Sequence, residues 1–221
     1  MNVKDEKMRM MGELRRDAVI AIIRGVAADK LIPLVAALCA GGIRWAEITF
    51  DQSKPESNAD TARSIAGLKR EFAGSMHIGA GTVMTQRQAE LAIEAGAEFL
   101  ISPNVDEKII SFTSSTAALS IPGAMTPTEI AAAYAAGADA VKVFPADALG
   151  PAYLKAVASP MPHIPLIAVG GISEKNVREY LNTGIAGVGV GSSLTPKELI
   201  AKGDFESLTA LAGKFAEAAG R

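Results

Sequence analysis

The chain has 221 residues, of which 49 % are hydrophobic and 21 % charged, and its formal net charge is −2 at pH 7. This near-neutral balance, with no long run of one charge and 5 % aromatic residues, excludes the basic footprint of a protein that binds nucleic acid or an anionic membrane. The single cysteine, Cys39, excludes an internal disulfide framework, and no stretch approaches the roughly 18 consecutive apolar residues of a transmembrane helix.

The first 17 residues are charged throughout and lack the apolar core of a signal peptide. We predict that residues 1–17 form a surface helix ahead of the first strand. Because a single cysteine is typical of a reducing compartment, we also predict that the protein is cytoplasmic.

Eight short apolar segments are predicted to be strands, at residues 18–24, 45–50, 77–83, 98–103, 119–125, 140–146, 165–171 and 186–192.

The segments between these strands have helical periodicity, and several end in a glycine just before the next strand, as in "AGAEFLISP" and "AGADAVKVFP". Thr85 and Thr126 stand at N-cap positions, and Pro127 stands at a first helical position. Eight strands alternating with helices predict an α/β fold, a (β/α)8 TIM barrel, with residues 1–221 as a single domain. A doubly wound open sheet is the alternative.

In a (β/α)8 barrel the active site lies at the carboxyl ends of the strands. The predicted strand ends therefore define the candidate site residues, which are Arg24, Glu47, Thr82, Pro103, Lys142, Phe144, Gly170, Gly171, Gly191 and Ser192.

Lys142 and Glu47 are the two candidates that could carry chemistry. Lys142 lies in the apolar run "AVKVFP", where burial disfavours the ammonium form and a neutral amine could condense with a ketone to give a Schiff base. Glu47, in "AEITF", should point into the barrel, because its neighbours alternate to the other face, and could act as a general acid/base. The structural alternative is a salt bridge between the two side chains.

The other candidates indicate anion binding rather than metal binding. Glycines in "AVGGIS" and "VGVGSS", ending the last two strands, let backbone N–H groups approach a phosphate, although tight turns alone could also require them. Arg24 could hold a carboxylate or phosphate, or lie on the surface. His77 and His163 are the only histidines and lack ligand spacing, so we expect no metal.

These residues together resemble the 2-keto-3-deoxy-6-phosphogluconate / 4-hydroxy-2-oxoglutarate aldolase family of class I aldolases. The resemblance spans about residues 18 to 215 and rests on motifs that occur in family-like order: "AIIRG", "AEITF", "IGAGTV", "FLISPN", "IPGAMTPTE", "VKVFPA", "VGGI" and "VGVGSSL".

The resemblance implies a homotrimeric barrel that uses neither metal nor cofactor, with Lys142 as the Schiff-base lysine and Glu47 as the general acid/base. It implies a small keto acid as substrate, pyruvate as product, and a place in carbohydrate metabolism of the Entner–Doudoroff type. The remaining roles follow the family motifs: Thr82, Pro103 and Phe144 line the pyruvyl pocket, Gly170, Gly171, Gly191 and Ser192 bind phosphate, and Arg24 binds the substrate anion.

Two positions depart from the family pattern. Many members carry an arginine four residues after the glutamate, where this chain has Asp51. The common "TGG" is here "VGG", with Val169 in place of threonine, as in the branch that acts on 2-keto-3-deoxy-6-phosphogalactonate. These differences leave open the preferred C4 epimer and the choice between phosphorylated and unphosphorylated substrates.

The resulting hypothesis is a reversible cleavage of a 2-keto-3-deoxy-4-hydroxy acid to pyruvate plus glyceraldehyde 3-phosphate or glyoxylate. A 2-keto-3-deoxy-6-phosphogalactonate aldolase is the first alternative. More distant alternatives are a phosphosugar epimerase or isomerase, which would use Glu47 for proton abstraction, and a catalytically silent phosphometabolite-binding barrel.

Overall fold

The computed structural model describes residues 2–220 and contains one parallel sheet of nine strands. The strands are β1 (Val19–Ile23), β2 (Trp45–Thr49), β3 (His77–Gly81), β4 (Phe99–Ile101), β5 (Leu119–Ile121), β6 (Gly123–Ala124), β7 (Val141–Val143), β8 (Leu166–Val169) and β9 (Gly187–Val190). The helices are α1 (Val3–Asp17), α2 (Ala28–Ala40), α3 (Asn58–Glu71), α4 (Gln86–Glu94), α5 (Glu107–Ser114), α6 (Pro127–Ala135), α7 (Ala146–Ala158), α8 (Val177–Leu181), α9 (Lys197–Lys202) and α10 (Phe205–Ala218), with a short 3-10 helix at Pro55–Ser57.

The sheet closes on itself through Pro122. Its strand order is β5-β4-β3-β2-β1-β9-β8-β7-β6, and β5 and β6 are the two halves of the fifth predicted strand. Pro122 separates them because proline has no N–H to donate to the ladder, and its carbonyl accepts a hydrogen bond from Lys142 N at 2.8 Å. The eight strand positions confirm the predicted barrel, and the open doubly wound sheet is excluded.

Alternation along the strands separates two hydrophobic cores. In β7, Val141 and Val143 belong to the outer core between strands and helices, so Lys142 faces the barrel interior. In β2, Ala46 and Ile48 pack outward, and the intervening Glu47 faces inward.

Helix α1 covers the amino ends of the strands. Its Met10 and Leu14 are buried in the inner core. Lys7 Nζ lies 3.0 Å from Oδ2 of Asp139, which precedes β7. Helix α1 therefore closes the amino end of the barrel.

The predicted strands run one to three residues past their observed ends. Thr82, Pro103 and Phe144 were assigned to strands and instead lie in the loops that follow β3, β4 and β7. The physical reason at Thr82 is its φ of 55°, which takes the chain out of the extended conformation, and at Pro103 it is the missing N–H.

The predicted N-caps are confirmed. Thr85 accepts a hydrogen bond from Gln88 N, and Thr126 forms a capping box with Glu129 ahead of Pro127. None of the helices within residues 2–220 is both long enough and apolar enough to span a bilayer.

Candidate active site

Glu47 and Lys142 are buried near the carboxyl ends of β2 and β7, with 2 % and 8 % of their surfaces exposed. Burial raises the pKa of Glu47 to about 7, against the opposing positive charges of Lys142 and Arg24. Burial also lowers the pKa of Lys142, a shift that Glu47 opposes and Arg24 assists. Burial thus favours the neutral form of both groups: a neutral amine can act as a nucleophile, and a carboxyl with a pKa near 7 can both give and take a proton.

The two side chains interact through their charges and form neither a salt bridge nor a hydrogen bond with each other. Oε2 of Glu47 is buried and accepts no hydrogen bond from any described residue. A buried carboxylate oxygen without a partner is costly, and a substrate hydroxyl or a water molecule would satisfy it. Nζ of Lys142 lies 4.7 Å from the centroid of the Phe144 ring, within the range of a cation–π contact.

Arg24 is linked by a hydrogen bond to the residue that directly follows β3. A Cβ on Gly81 would lie 2.6 Å from Cδ and Oε1 of Glu47, so glycine is required for this close approach. The next residue, Thr82, accepts a hydrogen bond on Oγ1 from Arg24 Nη2 at 3.2 Å. Arg24 follows β1, and its charge acts on both Glu47 and Lys142.

Pro103 and Phe144 lie on the rim of the same mouth. A Cβ on Gly123 would lie 2.5 Å from the carbonyl carbon and oxygen of Pro103, so this glycine lets the loop after β4 approach β6. The Phe144 side chain remains partly open to solvent.

The four phosphate candidates lie in the loops after β8 and β9. Gly170 and Gly171 have φ values of 111° and 67°, and a Cβ on Gly171 would lie 2.3 Å from Cβ of Asp147. These two glycines are therefore needed for the turn itself, and the Asp147 carboxylate lies beside them. A Cβ on Gly191 would meet nothing within 4 Å, and the adjacent Ser192 is exposed, so this second loop leaves room for a ligand.

Arg24 lies between two cavities at this end of the barrel. One, of about 570 Å³, is also lined by Lys30, Lys197, Gly191 and Ser192. The other, of about 950 Å³, is lined by a more polar set that includes Asp51, Gln52 and Thr82. Glu47 and Lys142 are buried and line neither of these two cavities.

The two positions that depart from the family pattern have defined environments. Asp51 is exposed, and its Oδ1 accepts hydrogen bonds from Ser53 Oγ and N at 2.6 and 3.0 Å, which lower its pKa. Val169 is buried against Gly189, whose added Cβ would lie 2.8 Å from Val169 Cγ2. The first position is thus a fixed negative charge, and the second is an apolar contact.

No cluster of three or more His, Cys, Asp or Glu side chains in residues 2–220 is arranged to hold a metal ion. His77 stacks on Trp45 with ring centroids 4.0 Å apart, at the amino end of β3. His163 meets the edge of Tyr134 at 5.4 Å. Neither histidine lies at the mouth that holds Lys142.

Sequence reasoning did not single out Gly81, Gly123 or Gln52. A glycine inside a strand signals a close approach of another group, and that signal was present for Gly81 in "IGAGTV". Gln52 carries no such signal, because its hydrogen bond to the Thr82 carbonyl joins residues 30 positions apart.

The fold and the site together define a (β/α)8 barrel with a buried amine and a buried carboxyl group at the carboxyl ends of its strands. The family model for KDPG and KHG aldolases matches residues 10–211. The chain therefore belongs to the KDPG and KHG aldolase family, as the sequence motifs predicted, and it is an aldolase, an enzyme of the lyase class.

Relatives with described activities agree with this assignment. A probable 2-dehydro-3-deoxy-6-phosphogalactonate aldolase of Rhizobium meliloti is 38 % identical over 177 residues, covering 80 % of this chain and 81 % of the relative. The 2-dehydro-3-deoxy-phosphogluconate aldolase of Treponema pallidum is 36 % identical over 200 residues, covering 90 % and 91 %. A crystal structure of KDPG aldolase from Legionella pneumophila, with pyruvate captured as a covalent carbinolamine, superposes with a TM-score of 0.82 at 31 % identity, covering 92 % of this chain and 96 % of that one.

Proposed function

We propose that this aldolase reversibly cleaves a 2-keto-3-deoxy-4-hydroxy acid to pyruvate and an aldehyde through a Schiff base on Lys142. The substrate is 2-keto-3-deoxy-6-phosphogluconate, 4-hydroxy-2-oxoglutarate or both, which gives glyceraldehyde 3-phosphate or glyoxylate. The observation that carries the proposal is that Lys142 and Glu47 are both buried and face inward near the carboxyl ends of β7 and β2, where their charges act on each other. The names of the relatives support the substrate class.

The first half of the reaction forms the electron sink. The neutral Nζ of Lys142 attacks the C2 ketone to give a carbinolamine, which takes up a proton from protonated Glu47 or from solvent as it loses water, and so becomes a protonated imine. Glu47, in its ionised form, takes the proton of the C4 hydroxyl, directly or through a water molecule. The C3–C4 bond then breaks, its electron pair moves into the imine to give an enamine, and the aldehyde leaves.

The second half restores the enzyme. The enamine carbon then takes a proton, which Glu47, protonated in the first half of the reaction, returns. Water then adds to the protonated imine, pyruvate leaves, and the proton taken up during imine formation is released, so the neutral Lys142 amine is free again. One water molecule is lost and one is regained, so the net reaction is keto acid to pyruvate plus aldehyde. No step requires a metal or a cofactor.

Substrate binding is assigned to the residues around this pair. Thr82, Pro103 and Phe144 line the pyruvyl end, and Arg24 binds the substrate anion, since it contacts Thr82 and its charge acts on both reactive groups. The phosphate, where present, is bound by Gly170, Gly171, Gly191 and Ser192. The room beside Gly191 and the cations Lys30 and Lys197 in the adjoining cavity support the β9 side of this assignment.

A 2-keto-3-deoxy-6-phosphogalactonate aldolase is the second candidate. The Rhizobium meliloti relative with 38 % identity is described with that substrate, and Val169 replaces the threonine of the common motif. Measuring kcat/KM on both phosphorylated epimers and on 4-hydroxy-2-oxoglutarate decides among the three substrates. The substrate with the highest kcat/KM is the physiological candidate.

We further propose that residues 1–221 act as one domain, that the chains assemble as a homotrimer, and that the enzyme works in the cytoplasm in a carbohydrate pathway of the Entner–Doudoroff type. Light scattering tests the assembly, and a particle mass of one or two chains would contradict it.

Borohydride trapping tests the proposed function. Incubation with pyruvate and borohydride should add a reduced pyruvyl group to Lys142, and the Lys142→Ala variant should neither be labelled nor release pyruvate. Lys155→Ala, which removes an exposed lysine in α7, is the matched control and should behave as the wild type.

Two results would contradict the aldolase mechanism. An active protein without an adduct would indicate the epimerase or isomerase. Ligand binding that survives Lys142→Ala, in a protein that releases pyruvate from none of the keto acids, would indicate the silent binding barrel.

A further inference from the structure

Gln88 is a buried glutamine in α4, with 2 % of its surface exposed. Its Oε1 accepts a hydrogen bond from Met84 N at 2.9 Å, and its Nε2 donates to Asn58 Oδ1 at 3.3 Å. A buried amide needs such partners, because it has given up its hydrogen bonds to water. The side chain is thus fixed between the loop after β3 and the start of α3.

Gln52, in the loop after β2, pairs with Gln88 through both amide groups. Gln52 Nε2 lies 3.4 Å from Gln88 Oε1, and Gln88 Nε2 lies 3.3 Å from Gln52 Oε1. The same Gln52 Nε2 donates its shortest hydrogen bond, 2.7 Å, to the carbonyl oxygen of Thr82. We call Gln52 and Gln88 together the glutamine clamp.

Thr82 is held in a conformation that it would not adopt by itself. Its φ of 55° lies in the left-handed region, which is disfavoured for a residue with a branched Cβ and persists only where the surroundings impose it. The adjoining backbone is paired, since Phe50 N donates to Gly81 O at 2.9 Å and Val83 N donates to Ile101 O at 3.1 Å. The glutamine clamp holds the remaining carbonyl, that of Thr82 itself.

We propose that the glutamine clamp is a positioning device for the active site: it fixes the left-handed turn at Thr82 and, through the Thr82 hydroxyl, the guanidinium of Arg24. Neither glutamine touches the reactive pair, so both act through other residues. The inference rests on the proposed function, because it assigns to Arg24 the binding of the substrate anion. Loss of the clamp should therefore weaken substrate binding and leave the chemistry at Lys142 largely intact.

The experiment removes Gln52, which is exposed, so its loss is not expected to disturb the core. Gln52→Ala should raise the KM for the keto acid and the half-saturating pyruvate concentration for borohydride trapping by about fivefold, the effect of losing one well-formed hydrogen bond. The values of kcat and the limiting trapping rate should stay within about twofold of the wild type. Gln86→Ala, which removes an exposed glutamine of α4, is the matched control and should change neither quantity.

A double-mutant cycle with Arg24→Ala shows whether the clamp acts through Arg24. If it does, adding Gln52→Ala to Arg24→Ala should produce no further rise in KM. A fivefold rise in both backgrounds would overturn the inference, and so would an unchanged KM in the single variant.

Hydrogen exchange keeps this test separate from the proposed function. The peptide covering residues 80–84 should exchange faster in Gln52→Ala than in the wild type or in Gln86→Ala. Wild-type protein that forms no adduct and releases no pyruvate would overturn the proposed function. The exchange of this peptide then decides about the clamp, and an unchanged rate in Gln52→Ala would overturn it.

Discussion

Glu47 shows most clearly how burial changes the protonation of a side chain. A carboxyl group that is 2 % exposed, with one oxygen free of hydrogen bonds from the described residues, is expensive to ionise. Its raised pKa means that the folded state holds this proton more tightly than the unfolded chain does, so ionising Glu47 costs folding free energy as the pH rises from about 4.5 through about 7. Ionised Glu47 therefore destabilises the fold, and a group retained at such a cost is a candidate for a role in the reaction.

The pH dependence of the enzyme should report this pKa. In the proposed mechanism Glu47 is ionised when it accepts the C4 hydroxyl proton, so kcat/KM for cleavage should rise with pH and level off above about 7. Glu47→Gln should lower kcat by about 10²- to 10⁴-fold and remove this rise, while the variant still forms the reduced pyruvyl adduct.

Steady-state kinetics between pH 5 and 9 provide the check, with the adduct measured by mass spectrometry. Retention of the same rise in Glu47→Gln would assign it to another group. Loss of the adduct together with kcat would indicate that the variant has disturbed Lys142 rather than removed a proton carrier.

At the scale of elements, the pairing of β2 with β3 determines where the Glu47 carboxylate lies. The register places Glu47 beside Gly79 and Thr49 beside Gly81, and both glycines leave space for side chains of neighbouring strands. A Cβ at Gly79 would lie 2.5 Å from the Phe99 ring, whereas one at Gly81 would meet the Glu47 carboxylate itself. Gly79 therefore makes room for the Phe99 ring in the core, and Gly81 makes room for the Glu47 carboxylate in the candidate active site.

Gly81→Ala should therefore disable the enzyme without unfolding it. The added methyl group must displace the Glu47 carboxylate, and a displacement of about 1 Å in a catalytic group costs on the order of 10²-fold in rate. Gly213→Ala is the control, because a Cβ there meets nothing within 4 Å in helix α10, and it should raise the free energy of unfolding by about 1 kcal/mol.

Kinetics and thermal unfolding of both variants check this pair of expectations. Gly81→Ala with wild-type kcat would show that the carboxylate tolerates the shift and that its position is not critical.

The elements also show which features the sequence could predict. Strand alternation was sufficient to place Lys142 and Glu47 on inward faces, because both lie between outward-facing apolar residues. Strand ends were predicted one to three residues too late, since apolar loop residues such as Phe144 continue the hydrophobic run. The contacts among Gln52, Gln88 and Thr82 were not predictable, because they depend on loop conformations and on partners 30 and 36 positions apart.

At the scale of the whole molecule, the two ends of the barrel differ in their ionisable groups. The carboxyl ends hold Glu47 and Lys142, whose pKa values are shifted by burial, and the amino ends hold a layer of ionisable side chains that lie within ion-pair distance of one another. Glu98 is the centre of that layer: its Oε2 lies 2.8 Å from Lys69 Nζ and its Oε1 lies 3.3 Å from His77 Nδ1. Ile78 N also donates to Glu98 Oε2 at 3.2 Å, which ties the layer to β3.

This pairing should make the fold sensitive to acid. Burial alone would raise the pKa of Glu98, but the neighbouring His77 and Lys69 side chains outweigh it and lower the pKa to about 2. Because the folded pKa lies below the unfolded value of about 4.5, Glu98 stabilises the protein above pH 4.5, and this contribution is lost as the pH falls toward 2. With 20 % of the side chain exposed, solvent screening reduces the expected contribution to about 1–2 kcal/mol.

Glu98→Gln should therefore lower the free energy of unfolding by that amount at pH 6, and its difference from the wild type should shrink to near zero at pH 2. Denaturant unfolding at fixed protein concentration across this range measures the difference, and Glu94→Gln, at an exposed position in α4, is the control that should follow the wild type throughout. A difference between Glu98→Gln and the wild type that is independent of pH would show that Glu98 contributes packing rather than charge.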